Sequence, residues 1–438
     1  MNKRIEGPEE TATVRDVMMD GRGIVDAPGK TVFVNTSITG EVVRFRRQRR
    51  RKNYDEAELL EVIEASPDRV EPPCVNFGMC GGCSLQHLGS GAQLQAKQAT
   101  LLESLERIAG VQPLRVLPPL AGRPLGYRRR ARLGAKLVDK KGRVLVGFRE
   151  RHKPFVADMH SCETLVPELG AMIPLLSDFI GSLDIRRQIP QIELSCGDNA
   201  FSLVFRVLEE PAPSDRARFD AFQNQTGAQV WLQTGGPDTL QPLDKAGGYE
   251  DLWYELPDFG LRLAFGPLDF IQVNQDMNRR MIRQALELLK LESTERVLDL
   301  FSGIGNFTLP LAQNCAHVTG VEFDVQMVRK AAANARANKL TNVEFHAADL
   351  TREEQPGGWT GDFDAVVLDP PRVGAQEVLP VVVRTGARKL LYISCHPGSM
   401  ARDTGILTGE HGFSLVAAGA VDMFPQTSHV EAMALFER

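Results

Sequence analysis

The sequence predicts a multidomain α/β protein in three parts: an N-terminal OB-like β-barrel over residues 1–66, a central α+β domain over 67–262, and a C-terminal Rossmann-like domain over 263–438. Three observations carry that reading. Short strand-like bursts with turn residues between them fill the first 65 positions. Three of the seven cysteines crowd into the ten residues from Cys74 to Cys83. From about Gly266 onward, apolar strand runs alternate with helical ones, the pattern of an open parallel sheet covered on both faces. At 438 residues the chain is long enough for two or three domains, each with its own core.

The first part reads TATVRDVMM, GRGIVDAP, KTVFVNTSI, GEVVRFRRQ and LLEVIEA, with Asp20-Gly21, Pro28-Gly29 and Thr39-Gly40 as turns. This predicts a small antiparallel barrel. The net charge of −5 argues against a nucleic-acid partner until the pattern is considered. Arg44 to Lys52 holds seven cations in nine positions around one phenylalanine, while residues 1–66 balance twelve basic against twelve acidic side chains. The cations are gathered rather than in excess, and each phosphate they pair releases a condensed counterion. Arg46, Arg47, Arg49, Arg50 and Arg51 are therefore candidate RNA contacts, as are Arg128, Arg129, Arg130 and Arg132 in a second cluster beside Tyr127. A solvated charged face is the ordinary fate of such runs.

A boundary follows at Ser66-Pro67 and Pro72-Pro73. Cys74, Cys80 and Cys83 then offer three soft ligands in a Gly-rich loop, and Cys162 is the best fourth; Cys196 and Cys315 sit in strand or helix patterns and read as core. The N-terminus MNKRIEGPEE is not a signal peptide and no apolar run approaches the ~18 residues of a membrane span. A cytoplasmic protein without a membrane partner is expected, and in that reducing compartment crowded thiols point to a metal site rather than disulfides. Four thiolates suit zinc or an iron–sulfur cluster. A helix from Gln93 to Ala109, ending at Gly110, is expected to pack on the C-terminal domain. Strand-like runs RVLVGFRE, QIELSC and FSLVFRV and a helix near 168–183 complete the central part.

In the C-terminal part, RVLDLF, HVTGVE, VEFHAAD, FDAVVLD and KLLYIS read as successive strands, and ligands in such sheets sit beyond the strands' carboxyl ends. The first strand leads into Gly303-Ile304-Gly305, which lets the backbone approach a ligand at a helix start. Asp299, before that loop, would repel a pyrophosphate and hold a cationic ligand. Glu322 ends the second strand, placed for both ribose hydroxyls, and Asp349 ends the third, placed for an adenine amine. Three acidic strand ends beside a G-x-G turn point to S-adenosylmethionine. Asp369-Pro370-Pro371 fixes a narrow segment that can approach a flat ring, which alone would suggest methylation of an exocyclic base amine.

Cys395, in YISCHP, is what such an enzyme would not need. Carbon 5 of a pyrimidine is a poor nucleophile, but a thiolate adding at carbon 6 makes the ring an enolate whose carbon 5 can attack a methyl sulfonium. A base must then take the carbon 5 proton so that the thiol can leave. Glu431, a carboxylate in an apolar strand run, is the candidate, since such a setting raises a pKa towards neutrality. His429 would face the same side of that strand, or be a satisfied structural histidine.

These residues carry a resemblance. FIQVNQ (270–275), DLFSGIGNFTLPLA (299–312), LDPPR (368–372), YISCHP (392–397) and DMFPQTSHVE (422–431) resemble the RNA (uracil-5-)-methyltransferase family, and within it the bacterial 23S ribosomal RNA branch. The resemblance implies that Cys395 is the nucleophile and Glu431 the base. It implies that Gln272, Phe301, Asn306, Glu322, Asp349 and Asp369 line the cofactor and target-base pocket of a Rossmann-like S-adenosylmethionine methyltransferase domain. Gln426 stands where relatives often have His, and Ser302 where many have Cys. The resemblance favours a [4Fe–4S] cluster on Cys74, Cys80, Cys83 and Cys162, making the central part an iron–sulfur domain; zinc is the alternative that the residues alone leave level. The barrel, with GRGI and its arginine run, is similar to the TRAM module. Related transfer-RNA enzymes generally have neither barrel nor cluster, so large-subunit ribosomal RNA is the expected partner of a monomeric enzyme, its uracil flipped into the pocket. A transfer-RNA or dual-site uracil-5 methyltransferase, and a catalytically silent RNA-binding protein, are the alternatives.

Overall fold

The computed structural model describes residues 7–27, 29–244, 248–352 and 359–438. Residues 1–6, part of the N-terminus read above, and Pro28, half of one expected turn, lie outside that description.

The N-terminal bursts form strands β1 (Glu9–Val17), β2 (Arg22–Ala27), β3 (Lys30–Asn35), β4 (Val42–Arg50) and β5 (Tyr54–Glu64), closed in the order β1-β2-β3-β5-β4. Val14, Val25, Val32, Val34, Val43 and Phe45 fill the interior at the strand period of two. One expectation fails: the barrel is not wholly antiparallel, because β3 and β5 run parallel. Five strands cannot alternate in direction all the way around a closed ring, so one parallel pair is forced.

Helix α1 (Ser90–Ser104) runs through a π-turn at Leu105–Ala109 to Gly110, whose φ of 70° ends it. The two-residue β6 (Arg115–Val116) follows. The central sheet comprises β7 (Arg130–Val138), β8 (Arg143–Gly147), β9 (Gln191–Cys196), β10 (Phe201–Arg206), β11 (Gln229–Gln233) and β12 (Leu240–Pro242), in the order β12-β11-β10-β9-β7-β8. Helices α2 (Pro167–Gly170), α3 (Met172–Ser182) and α4 (Pro213–Thr226) interleave with these strands, and Phe179 of α3 stacks on Phe222 of α4 at 4.0 Å. The hairpin β13 (Leu252–Leu256) and β14 (Leu261–Phe265) shares a hydrophobic core with the C-terminal sheet.

The C-terminal elements are α5 (Gln275–Leu289), β15 (Arg296–Leu300), α6 (Thr308–Ala312), β16 (His317–Glu322), α7 (Val325–Ala337), β17 (Val343–Ala347), β18 (Ala365–Leu368), α8 (Leu379–Arg384), β19 (Lys389–Ser394), α9 (Pro397–Glu410), β20 (Ser414–Val421) and β21 (Glu431–Glu437). Their sheet order is β17-β16-β15-β18-β19-β21-β20-β6. The chain winds outward from β15 to β17, then returns to β18 on the other side of β15. The crevice at that switch point is where such sheets bind ligands. Strand β21 runs antiparallel to β19, which brings its first residue to the carboxyl edge of the parallel strands.

Helix α1 packs on β20 and α9, and β6 extends the sheet by pairing with β20. The joint is also polar. Lys97 of α1 is fully buried and reaches Asp422 Oδ1 at 2.6 Å. Removing one partner of a buried pair like this costs about 3–5 kcal/mol, because the other charge is left without compensation.

Candidate active site

The residues singled out in the C-terminal domain converge on one edge of the sheet. Phe301, directly after β15, has φ 66°, a left-handed conformation that a bulky residue adopts only where its surroundings impose it. Gly305, at φ 94°, holds a left-handed conformation in which any β-carbon would be strained. Glu322 accepts from the backbone N–H of Gly303 at 3.1 Å and of Phe323 at 2.8 Å, tying the loops after β15 and β16 together. Asp349 accepts from the Thr351 hydroxyl at 2.6 Å, a bond that holds its carboxyl below the usual range.

Two residues of this edge are held by protein partners. Asp299 is buried beneath the glycine loop and accepts from the Thr308 hydroxyl at 2.5 Å, so it braces the loop rather than meeting a ligand. Burial pushes its carboxyl up to about 7. The side-chain amide of Asn306 pairs with that of Asn278 at 2.8 and 2.9 Å and accepts from Tyr254 Oη at 2.9 Å. Gln272, by contrast, donates towards Asp369 Oδ2 at 3.4 Å and so stands at the switch point.

Cys395 lies between the end of β19 and the N-terminus of α9, where His396 Nδ1 accepts from the Ser399 N–H at 3.1 Å and caps the helix. Ser394 pairs with Ala432 across β19 and β21, so the next residues outward, Cys395 and Glu431, lie side by side on the edge. Asp369, one residue beyond β18, completes the group. Burial pushes Asp369 up to about 7. Burial, then the charge of Asp369, pushes Glu431 up to about 8. The Cys395 thiol is raised to about 11 by burial, then by Glu431 and Asp369, with Arg372 pulling it the other way. Arg372, the last residue of the LDPPR stretch, is absent from the residues that the sequence assigns to the site, yet its charge acts on Cys395. The three groups compete for protons, so they titrate as a unit.

His429 does not share a strand face with Glu431 as expected. Strand β21 starts at Glu431, and His429 lies in the turn before it, exposed, with its ring 5.0 Å from that of Phe424.

The arginine clusters are paired within the protein. Arg46 meets Glu9 at 2.6 Å, Arg47 meets Glu10 and Asp55, Arg49 approaches Glu56 at 3.7 Å, and Arg51 meets Glu56 at 3.0 Å. Acidic residues on β1 and β5 thus neutralise much of the β4 stripe; Arg44, Arg49 and Arg50 are the exposed arginines of β4. In the second cluster Arg129 pairs with Asp198 at 2.7 Å, and Arg130 donates to the Leu268 carbonyl at 2.8 Å and approaches Glu193 at 3.3 Å. Arg129 thus braces the turn between β9 and β10, and Arg130 ties the central sheet to the segment after β14. Arg128 lies 5.4 Å over the Phe148 ring, and Arg132, paired with Glu193, keeps most of its side chain exposed.

Cys74, Cys80, Cys83 and Cys162 line one small cavity with Arg128, Phe77 and Phe148. Cys196 and Cys315 are buried away from it. Burial and then mutual repulsion raise the Cys80 thiol to about 11 and the Cys83 thiol, despite its hydrogen bond with Gln86, to about 12. No trio of His, Cys, Asp or Glu among the described residues is gathered as a site for a single metal ion.

Comparison with known proteins decides the family. Over 439 aligned residues the chain is 48% identical to a Stenotrophomonas maltophilia protein named 23S rRNA (uracil(1939)-C(5))-methyltransferase RlmD, covering 99% of this chain and 98% of that one. The chain belongs to the RNA (uracil-5-)-methyltransferase family. Proteins of the same name from Methylococcus capsulatus, 46% identical over 98% of this chain and 96% of theirs, and from Hahella chejuensis, 44% identical over 100% and 99%, agree. The family model tRNA (Uracil-5-)-methyltransferase matches residues 263–357 and 359–438. Among solved structures, a Pyrococcus abyssi tRNA (uracil-54, C5)-methyltransferase bound to S-adenosyl-L-homocysteine superposes with a TM-score of 0.73 at 23% identity, covering 98% of this chain and 100% of that one. That likeness corrects one inference from sequence: a transfer-RNA enzyme shares this fold along its whole length, so the fold does not separate ribosomal from transfer-RNA substrates. In this RNA methyltransferase, no helix among the described residues is long and apolar enough to cross a membrane.

Proposed function

We propose that the protein transfers a methyl group from S-adenosylmethionine to carbon 5 of a uridine in 23S ribosomal RNA, the position its relatives' names give as uracil 1939. The observation that carries the chemistry is the placement of Cys395 and Glu431 side by side where β19 and β21 reach the edge, with Asp369 beside them. The cofactor, when bound, supplies a methyl group on a cationic sulfur, and the Glu322, Asp349 and Asp369 carboxyls give the crevice the complementary charge. Gln272 and the strained Phe301 loop would hold it against the switch point.

Cys395 gives its thiol proton to solvent and, as thiolate, bonds to carbon 6 of the uracil; the electron pair of the 5–6 double bond moves onto the ring as an enolate. Carbon 5 takes the methyl group. Glu431, as carboxylate, then removes the proton from carbon 5; the double bond re-forms and the Cys395 thiolate departs. Arg372 supplies positive charge beside the thiol. Incubating the protein with labelled cofactor and a mixture of 23S RNA and transfer RNA, then mapping the label, tests the assignment. Label on a single uridine of the large-subunit RNA is the expected result, and label on transfer RNA alone would overturn it.

We also propose a four-iron cluster on Cys74, Cys80, Cys83 and Cys162, because these four thiols line one small cavity and four thiolates suit such a cluster. Arg128, the first residue of the second arginine cluster, lines the same cavity, so the cluster would brace the start of that segment. Protein purified without oxygen should carry about four irons per chain, as cubane ligation by four thiolates requires. Zinc found in place of iron would overturn the proposal.

A further inference from the structure

Four consecutive carbonyls in the turn between β20 and β21 are each held by a different part of the chain. The Met423 carbonyl accepts from Asn274 Nδ2 at 3.3 Å, and that of Phe424 from Lys97 Nζ at 2.9 Å. The Pro425 carbonyl accepts from Tyr127 Oη at 2.9 Å. The Gln426 carbonyl accepts from the backbone N–H groups of Ser84 and Leu85, at 2.9 and 3.1 Å. Gln426 itself sits at φ 69°, and Gln93 grips it twice: Gln93 Oε1 accepts from its N–H at 3.0 Å, and Gln93 Nε2 donates to its side chain at 2.9 Å. Gln93 and Lys97 lie one turn apart on α1, both buried, polar residues on a face that otherwise packs.

A turn that merely joined two strands would be satisfied by its own backbone or by water. This one is clamped by the segment that follows Cys83, by α1, by the start of the central sheet and by the cap of α5. It ends five residues before Glu431, at the strand start where that carboxyl must meet carbon 5. We infer that Gln93, Lys97 and Tyr127 are positioning residues which act through the 423–426 turn on Glu431, and so set the rate of proton removal from carbon 5. Through Ser84 and Leu85 the same clamp joins the base to the cysteine-lined cavity, which gives that cavity a mechanical role in catalysis.

This inference rests on the proposed covalent reaction, and it predicts a defect at one step. A displaced Glu431 leaves attack by Cys395 and methyl transfer intact but delays release, so the covalent RNA–protein species accumulates. Tyr127→Phe removes one oxygen from a buried site, and Gln93→Leu removes both grips on Gln426. Each variant, checked for folding by its melting curve, is mixed with cofactor and a 23S RNA fragment and quenched in detergent. The expected result is a several-fold rise in the RNA-linked band and an unchanged RNA dissociation constant, with release slowed by about tenfold or more for Gln93→Leu, within the range that a general base contributes. Folded variants with the wild-type amount of linked band, whether active or slowed, would overturn the inference. Glu431→Gln is run beside them: if it traps no adduct, the reading of Glu431 itself fails, and the clamp with it; if it traps adduct and the clamp variants do not, the clamp alone fails.

Discussion

Replacing Cys395 by alanine is expected to lower kcat by at least about 10⁴-fold, the scale on which covalent catalysts lose rate with their nucleophile. Affinity for RNA should hardly change, because the thiol is one half-buried atom among many contacts. The decisive measurement uses RNA carrying 5-fluorouridine at the target. Fluorine cannot leave carbon 5 as a proton does, so the wild type should stop as a protein–RNA adduct that survives denaturation. Cys395→Ala should form none. An active wild type that gives no adduct would remove the thiolate from the mechanism, and with it the need for Glu431.

Glu431→Gln should show the opposite signature on natural RNA: turnover falls by about 10²–10⁴-fold, the usual contribution of a general base, while the adduct accumulates. A glutamine variant with normal turnover would exonerate Glu431. The pH dependence follows from the same group. With Glu431 raised to about 8 and the thiol to about 11, the reactive forms of both lie on the alkaline side. Wild-type kcat/KM should therefore climb between pH 6 and 9, and a flat or falling profile would contradict the assignment.

Stability should run the other way. Asp369 and Glu431 hold their protons in the folded chain up to about 7 and about 8, whereas an unfolded carboxyl releases its proton near pH ~4. Between those limits the folded state binds more protons, so stability falls as pH rises and levels off above about 8. Glu431→Gln should melt at a higher temperature than wild type at pH 8, and approach it near pH 5. An active site that buries carboxyls lowers stability in favour of chemistry.

Local chemistry determined a good deal of this protein in advance. The Gly303-Ile304-Gly305 turn, the Asp369-Pro370-Pro371 segment and the thiol after KLLYIS each require a particular backbone or atom, and each falls at the sheet edge where its spacing placed it. The parallel sheet was implied by βα alternation, and the barrel by its turn residues. The parallel β3–β5 pair was hidden, because ring closure is a property of all five strands together.

Charge was where the sequence showed least of what surrounds each residue. A run such as RFRRQRRRK shows cations but not the glutamates that β1 and β5 lay against them, so the stripe reads as freer than it is. Asp299 reads as a ligand-facing carboxylate until Thr308 is seen above it, and the bonds from Asn278 and Tyr254 that orient the Asn306 amide leave no mark in the sequence.

The sequence by itself determined which atoms the proposed chemistry calls on: a thiol, a base and a sheet edge lined with carboxyls, because reactivity resides in residue type and local backbone. Only the tertiary structure decided how those atoms are held. Gln93 and Lys97 lie more than 300 positions from the turn they grip, and hydrogen bonds over that distance exist only once the chain has closed. Their one trace in the sequence is a pair of polar residues, one helical turn apart, on a face that ought to be apolar.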